Sequence, residues 1–260
     1  MRHKILLTSS AIILFSIKIF AQVSGISGGK LFVPDAATLS GNTFEFEPAF
    51  SVLNSSSYFE NGSNCKDING RIINSSLAFR ITAGISENLE AGVSFSNSLD
   101  EIALGTKYFL NQYGKFAYGL TGGVIIPAGD KFIPDTLANT EHNYSVTLGT
   151  VISYSISEKS SVDMTLSYTN VLTSGSFDYK IHYGAGYGRM ISEKTQIVLE
   201  INGFYANFNR SEEYKMFSAG GITYRVTEKL LFVSGYQYDL IGKNTYKENG
   251  IFAAFTITFN

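Results

Sequence analysis

Residues 144–169 read YSVTLGTVISYSISEKSSVDMTLSYT, and this stretch decides the fold class. On both sides of a polar break at residues 157–160, an apolar or aromatic residue takes nearly every second position. A period of two is that of a β-strand whose two faces meet different surroundings. Two such runs joined by a short polar turn predict an antiparallel hairpin.

The polar turn of this hairpin recurs along the chain. Related phrases are GISENL at residues 84–89, SISEKS at 155–160, MISEKT at 190–195 and RVTEKL at 225–230, and the last three begin 35 residues apart. That spacing equals two strands of about 10 to 15 residues with a turn at each end. The repeats therefore predict a large antiparallel sheet.

The alternating segments number about twelve, and the connections between them differ in length at the two ends of the sheet. The strands are predicted near residues 43–53, 73–85, 89–98, 101–110, 115–126, 143–156, 161–172, 177–191, 196–208, 214–226, 230–240 and 250–259. Tight turns are expected at 86–88, 111–114, 157–160, 192–195 and 227–229, and longer connections at 54–72, 127–142, 173–176, 209–213 and 241–249. The connection at 98–100 is the exception, since it is tight although it lies at the end of the sheet where the longer connections are. Short turns at one end and longer loops at the other are typical of an outer-membrane barrel.

The two faces of the strands support the same interpretation. In residues 177–188 one row suits lipid and the other suits water: Phe177, Tyr179, Ile181, Tyr183, Ala185 and Tyr187 against Asp178, Lys180, His182, Gly184, Gly186 and Gly188. A soluble sandwich also alternates, with its apolar row inside. The long strands, the tyrosines near strand ends and the near-terminal aromatic Phe259 favour the membrane barrel. The predicted fold class is all-β, an antiparallel up-and-down transmembrane β-barrel with about twelve strands, short periplasmic turns and longer extracellular loops.

The N-terminus and the composition place the barrel outside the cytoplasm. Residues 1–21 combine a basic start, an apolar run and a final Ala21, as in a cleaved secretory signal peptide. Residues 22–42 are rich in glycine without clean alternation and are interpreted as a lead-in or plug, which leaves residues 43–260 for the barrel. A net charge of -2 gives no basic field for nucleic acid, and the single cysteine, Cys65, excludes an intramolecular disulfide. We expect a bacterial outer-membrane location, with outer-membrane lipid, the barrel assembly machinery and a small-molecule solute as partners.

Three phrases carry a resemblance to a known family. They are RITAGISENLEAGVS at residues 80–94, EIALGTKY at 101–108 and VIIPAGD at 124–130. From Ser76 onward the chain resembles bacterial outer-membrane proteins described as components of the meta-pathway of phenol degradation and often labelled as transporters. That family usually has Asp where Glu101 stands and Thr where Ala128 stands. The resemblance implies an outer-membrane channel-like barrel and does not imply that phenols are the cargo.

Charged residues of both signs fall in the inward rows, and they define the candidate site. Such charges either line a wetted pore or pair across strands and fill a narrow barrel, and for about twelve strands we expect a narrow, partly obstructed pore. The leading hypothesis is therefore passive passage of a small solute, with hydrophobic or aromatic solutes among the candidates, and the alternative is a structural or surface-binding barrel with a plugged lumen. The candidate lumen-lining residues are Arg80, Glu90, Glu101, Lys107, Lys115, Asp163, Asp178, Lys180, His182, Glu200, Lys215, Arg225 and Asp239.

Catalysis is not expected from this sequence. His142 and His182 lie in no recognisable nucleophile motif, although a barrel hydrolase built on them and on neighbouring carboxylates remains an alternative. The glycines of residues 184–188 lack the strand-to-helix context of a dinucleotide loop, so we interpret them as lumen-facing strand residues. No catalytic, cofactor-binding or metal-binding residue is expected, and no cofactor.

Overall fold

The computed structural model describes residues 23–128, 144–172, 177–208 and 211–260, apart from the side chains of Phe177 and Phe208. In these ranges the chain forms twelve strands, which confirms the predicted number. They are β1 (Phe44–Asn61), β2 (Asn64–Ser86), β3 (Leu89–Ser96), β4 (Glu101–Tyr113), β5 (Phe116–Pro127), β6 (Tyr144–Ser157), β7 (Ser160–Leu172), β8 (Phe177–Met190), β9 (Thr195–Phe208), β10 (Ser211–Thr227), β11 (Leu230–Lys243) and β12 (Thr245–Phe259). The expected signal peptide, residues 1–21, lies outside the described ranges, as do His142 and most of the connection at 127–142.

Each strand pairs antiparallel with its sequence neighbour, and β1 pairs with β12, so the sheet closes into a barrel. Closure satisfies the backbone groups that an open sheet edge would leave bare in lipid. Pro48 lies on β1 at this closing seam, between the paired positions Phe46↔Ile257 and Ala49↔Ala254. The register is the same on both sides of Pro48, so the missing N–H is accommodated at the seam without a bulge there.

The recurrent turn phrase has a local physical cause. In each copy the hydroxyl of the Ser or Thr accepts a hydrogen bond from the backbone N–H two residues later. The N–H groups are those of Asn88, Lys159, Lys194 and Lys229, at 3.4, 3.3, 3.3 and 3.2 Å from the hydroxyl oxygen. A four-residue polar phrase thus reverses the chain without help from the rest of the fold.

The opposite end of the barrel differs from the expected loop pattern. Residues 54–72 and 241–249, expected as long loops, are mostly strand: β1 and β2 run for 18 and 23 residues and are joined at residues 62–63, and β11 and β12 are joined at Asn244. β10 likewise begins at Ser211, inside the expected loop 209–213. These strands were not predicted because their composition is polar. A hairpin that rises above the membrane needs no apolar outer row. The short connection at 98–100 is confirmed, with Leu99 donating its N–H to the Ser96 carbonyl at 3.0 Å.

The wall is apolar outside and polar inside, as the alternation predicts. Outward side chains are well exposed, with Leu148 at 68% and Leu199 and Ile251 at 59%. The inward row instead contains buried charge, since Glu90 and Lys107 are both 0% exposed. No helix in the described ranges is long and apolar enough to cross a membrane.

Candidate functional site

Residues 23–42, which we call the lumenal segment, lie inside the barrel and contact its wall on several sides. The contacts fall on inward-facing residues of the half of the barrel nearer the tight turns, which by the outer-membrane pattern is the periplasmic half. The candidate site is therefore the lumen together with this segment, and its anchors are side chains of the wall.

Glu90, the second residue of β3, is the anchor for both ends of a loop in the lumenal segment. Its carboxylate accepts hydrogen bonds from the backbone N–H of Ser27 at 2.7 Å and of Leu39 at 2.8 Å, and from the Ser27 hydroxyl at 2.8 and 2.9 Å. Lys107 of β4 lies 3.3 Å from the same carboxylate and 3.6 Å from that of Asp35. Because one buried carboxylate binds residues 27 and 39, it closes the chain between them into a loop.

Glu200 of β9 holds the middle of this loop. Its carboxylate accepts hydrogen bonds from three consecutive backbone N–H groups, those of Leu31 at 2.9 Å, Phe32 at 2.9 Å and Val33 at 3.2 Å. The Asn202 amide adds a fourth at 3.1 Å. In the ring of twelve strands β9 lies opposite β3, so the loop is strung across the lumen between two carboxylates on facing walls.

Lys30 links the lumenal segment to a third part of the wall, strand β7. Its ammonium group pairs with the buried Asp163 of β7 and donates to the Ser161 hydroxyl at 3.0 Å. The aliphatic part of Lys30 passes over the inward-facing Gly186 and Gly188 of β8, where an added Cβ on Gly188 would lie 2.8 Å from Lys30 Cε. The glycines between residues 184 and 188 thus leave room for a side chain that crosses the lumen.

Three further glycines allow the backbone of the segment to lie directly on the wall. An added Cβ on Gly105 would overlap the carbonyl oxygen of Ser24, one on Gly92 that of Gly25, and one on Gly84 that of Ser40. Gly92 and Gly105 face each other across β3 and β4. We call Gly84, Gly92 and Gly105 the glycine seat.

Arg80 on β2 completes the contacts on this side of the barrel. One guanidinium nitrogen donates to the carbonyl of Ile26, and the other lies 2.8 Å from Glu47 and 3.4 Å from Glu45 on β1. The Thr256 hydroxyl also donates to Glu47, at 2.6 Å. A network of charged and polar groups therefore spans the seam between β12 and β1.

The lumenal segment also contacts aromatic side chains of the wall. The ring of Phe32 lies 5.6 Å from that of Phe217 on β10, edge to face, and 4.7 Å from that of Phe252 on β12. Both wall rings belong to inward rows that are otherwise polar or small. The contact lies immediately beside the hydrogen bond of the Phe32 N–H to Glu200.

A second buried ionic cluster lies nearer the extracellular end. Lys215 of β10 pairs with Asp239 of β11 at 3.0 Å and with Glu248 of β12 at 2.7 Å. The Asn74 amide donates to Glu248 at 3.3 Å, and the Glu248 N–H donates to Asp239 at 2.9 Å. This cluster joins the neighbouring strands β10, β11 and β12 and reaches past β1 to β2, and none of its described contacts is with the lumenal segment.

The candidate residues read from the sequence are thus divided among several places. Arg80, Glu90, Lys107, Asp163 and Glu200 hold the lumenal segment, and Lys215 and Asp239 belong to the upper ionic cluster. Asp178 is buried on β8, Lys180 lies with its ammonium 4.1 Å above the Phe204 ring, and the His182 ring centre is 6.1 Å from the same ring. Glu101 is half-buried at the start of β4.

Lys115 and Arg225 lie away from the buried interior. Both are exposed at the end of the barrel where the tight turns lie. Lys115 sits in the turn between β4 and β5, and its ammonium donates to the Ile156 carbonyl at 3.0 Å. Charge alternation alone cannot separate such rim residues from residues deep in the lumen.

Several residues of the site were not singled out by sequence reasoning. The glycine seat lies within residues 80–94 and 101–108. The stretches of sequence that carry the family resemblance therefore also contact the lumenal segment. Phe217 and Phe252 could have been found from the sequence, because each is an aromatic residue in an otherwise polar or small inward row. Nothing in the local sequence identifies Ser27 or Lys30, whose partners are distant in the chain.

Within the part of the chain that the structure describes, no group of three or more His, Cys, Asp or Glu side chains is arranged to hold a metal ion. The Cys65 thiol is free and exposed on β2. The arrangement instead supplies a narrowed lumen with buried charge at fixed positions and aromatic contacts.

Comparison with known proteins finds one matching family and several solved barrels of similar fold. A family model described as "Putative MetA-pathway of phenol degradation" matches residues 37–255. The structure is similar to the COG4313 outer membrane channel from Pseudomonas putida F1, with a TM-score of 0.67 and 14% sequence identity over 86% of this chain and 98% of that one.

Two porins are similar at lower scores. NanC porin has a TM-score of 0.56 at 9% identity over 81% of this chain and 98% of that one. KdgM porin, solved in complex with disordered oligogalacturonate, has a TM-score of 0.53 at 9% identity over 83% and 99%. At these identities the likeness concerns the fold. No curated protein matches the sequence.

Proposed function

This chain belongs to the family described as "Putative MetA-pathway of phenol degradation", and we propose that it is a passive outer-membrane channel for a small hydrophobic or aromatic solute. The solute moves down its own gradient, without a cofactor and without covalent chemistry. The observation that carries the proposal is the lumen, in which inward charges hold a loop across the passage. Passage through such a lumen is limited by the loop and by the inward side chains of the wall beside it.

The buried charges support a channel more than a solid scaffold. A barrel needed only for mechanical support is stable with a lumen of packed side chains, as in small filled barrels. Here the carboxylates of Glu90 and Glu200 bind backbone N–H groups of a segment that is not part of the wall. These hydrogen bonds can break and release the lumenal segment while the wall stays closed. Such an arrangement suits a passage whose width changes.

The direct test is conductance of the folded protein in planar lipid bilayers. Wild type should give small single-channel currents, and Glu200→Gln should give larger or more frequent ones because the three N–H groups lose their charged acceptor. Glu193→Gln, in an exposed turn, is the matched control and should behave as wild type. Correctly folded protein that leaves the bilayer closed in all three forms would refute the channel.

We also propose that residues 1–21 are removed as a signal peptide and that the barrel assembly machinery inserts the mature chain into the outer membrane. The basic start and apolar run of residues 1–21 and the closed twelve-strand barrel support this. Mass spectrometry of the outer-membrane fraction should find a chain that begins at Gln22. A chain that retains residues 1–21 in that fraction would contradict the cleavage.

A non-enzymatic role follows from the same proposal. His182 lies beside the Phe204 ring and Lys180 and pairs across the sheet with Ser167, and none of the hydrogen bonds between described residues joins it to an orienting carboxylate. His182→Ala and His142→Ala should therefore leave any lipase or protease activity of purified protein unchanged. A loss of such activity in either variant would revive the hydrolase.

The alternative, a surface-binding barrel, is favoured by one observation at the extracellular end. The tip of the long β1–β2 hairpin is tied to two other hairpins. Tyr214 on β10 accepts from the Gly62 N–H at 3.0 Å and donates to Asn61 at 3.0 Å, and the Gly242 N–H of β11 donates to the Gly62 carbonyl at 2.9 Å. Deletion of residues 55–67 distinguishes the two functions. If it abolishes a binding phenotype and leaves permeability unchanged, the surface function gains support; if it alters only flux, that function fails.

A further inference from the structure

The inner wall of β10, β11 and β12 contains a slot between two aromatic rings. Across these strands Phe217 pairs with Asp239, Ala219 with Gln237, and Gln237 with Gly250, while Phe252 pairs with Gly235 one step further along. The Phe252 ring leans over Gly235, where an added Cβ would lie 2.5 Å from it. Between the rings of Phe217 and Phe252 the wall therefore offers only Ala219, Gln237 and Gly250, two small residues beside one amide.

The ring of Phe32 from the lumenal segment lies over this slot, in contact with both bounding rings. Phe32 is half-buried, so its outer side faces the remaining space of the lumen. Edge-to-face and tilted ring contacts of this kind are favourable beyond the area they bury. The segment thus presents an aromatic ring to an aromatic site in the wall.

Two buried polar groups of β11 beside the slot have no hydrogen-bond partner. Gln237 is 2% exposed and its side-chain Nε2 has no hydrogen-bond partner, and Asp239, 0% exposed, has no partner for Oδ1. The two residues are two positions apart on β11 and therefore face the same way. One offers a donor and the other an acceptor, and a buried polar group without a partner is costly.

We propose that this slot is a binding site for an aromatic solute that carries a hydroxyl or a similar donor-and-acceptor substituent, and that Phe32 is its internal competitor. The ring of the solute takes the place of Phe32 between Phe217 and Phe252, and its substituent reaches the amide of Gln237 and the free carboxylate oxygen of Asp239. A bare phenyl ring satisfies neither group, so a substituted ring has an advantage over Phe32. Displacement of Phe32 also loosens the adjacent contact of the lumenal segment with Glu200.

This inference rests on the proposed channel, because the solute it describes is the one that passes. The slot is tested by measuring binding to full-length protein folded in detergent, which requires no passage of solute through the barrel. The slot and the channel can therefore fail separately. Binding without any conductance would overturn the channel and keep the slot. Conductance without binding of either probe would keep the channel and overturn the slot.

The probes are phenol and toluene, which match in ring size and differ in the hydroxyl, measured by calorimetry or ligand-observed NMR with empty micelles as the blank. Wild type should prefer phenol by about fivefold, as one net hydrogen bond predicts. Gln237→Leu should lower that preference, because only the hydrogen bond to Asp239 remains, while toluene binding is unchanged. Because the readout is a ratio of two probes, micelle partitioning cancels between variants.

Phe32→Ala should strengthen binding of both probes by about tenfold, since an internal competitor lowers apparent affinity by the fraction of time the site is vacant. Gly28→Ala, in the same segment and with nothing near its added Cβ, should leave both affinities as in wild type. The barrel wall is untouched by either change, and heat-modifiable gel mobility verifies folding. Equal binding of phenol and toluene to wild type, or unchanged affinity in Phe32→Ala, would overturn the proposal.

Discussion

Single residues in this barrel are constrained chiefly by which face of the wall they occupy. Ile181 and His182 are neighbours on β8, yet Ile181 belongs to the outward row and His182 to the inward row beside Phe204. An outward charge has only lipid as its surroundings, whereas an inward charge meets water or other polar groups. The alternation of the sequence therefore translates directly into opposite tolerances at adjacent positions.

Ile181→Arg should impair folding and His182→Arg should not. An arginine on the lipid face near the bilayer midplane costs about 2 to 4 kcal/mol, falling to about 0 to 1 near the interfaces. Heat-modifiable gel mobility and urea unfolding in the same lipid measure both variants. Equal tolerance at the two positions, or damage confined to His182→Arg, would mean that the faces are assigned the wrong way round.

The glycine seat provides a second residue-level prediction. Gly105→Ala places a methyl group where the Ser24 carbonyl oxygen lies, so the start of the lumenal segment must move while the wall keeps its ladder. We expect a larger bilayer conductance than wild type with unchanged folding. Gly28→Ala, which lies in the lumenal segment itself and has nothing near its added Cβ, is the control. Identical conductance in the two variants would show that the seat does not position the segment.

Elements in this molecule are stabilised by contacts with distant elements as much as by their own sequence. The hairpin of β1 and β2 reaches far above the shortest strand, β3, which has 8 residues. Its tip is secured by Tyr214, by the Gly242 N–H donating to the Gly62 carbonyl at 2.9 Å, and by the Asn244 N–H donating to the Phe59 carbonyl at 2.9 Å. Polar strands beyond the membrane thus remain ordered through hydrogen bonds between hairpin tips.

Tyr214→Phe should loosen this tip without weakening the barrel. The change removes two hydrogen bonds, each worth about 0.5 to 1.5 kcal/mol, from a region that the membrane part does not depend on. Hydrogen exchange at Gly62 should speed up, and the unfolding midpoint of the barrel should stay close to that of wild type. Tyr236→Phe, which loses only a wall contact to Asn249 at 3.2 Å, should leave exchange at Gly62 unaltered. Unchanged exchange in Tyr214→Phe would contradict the link between the tips.

At the scale of the whole molecule, the barrel separates two structural tasks. Wall stability comes from a closed ladder of backbone hydrogen bonds, in which every strand has two partners. The lumenal segment adds side-chain contacts inside but contributes no strand to the ladder. In the proposed channel, the width of the passage can therefore change without opening the sheet.

Removal of residues 23–40 from the mature chain should therefore leave a folded, heat-modifiable barrel with a clearly larger conductance. The buried carboxylates of Glu90 and Glu200 lose the N–H groups that now satisfy them and take up water in the widened lumen. Bilayer recordings at matched protein amounts measure the effect. Failure of the truncated chain to fold would show that the segment is part of the stable core, and unchanged conductance would show that it does not limit passage.

The sequence alone determines the fold class, the number of strands and the face of each, because these depend on a period of two and on polar turns that act locally. It also indicates the inward charges, including Glu90, Lys107 and Glu200. Only the tertiary structure decides their partners: that Glu90 binds residues 27 and 39, that Glu200 receives three N–H groups from the opposite side of the ring, and that Phe32 lies between Phe217 and Phe252. These contacts join residues far apart in the chain, and they exist only because closure of the sheet brings opposite walls to either side of one segment.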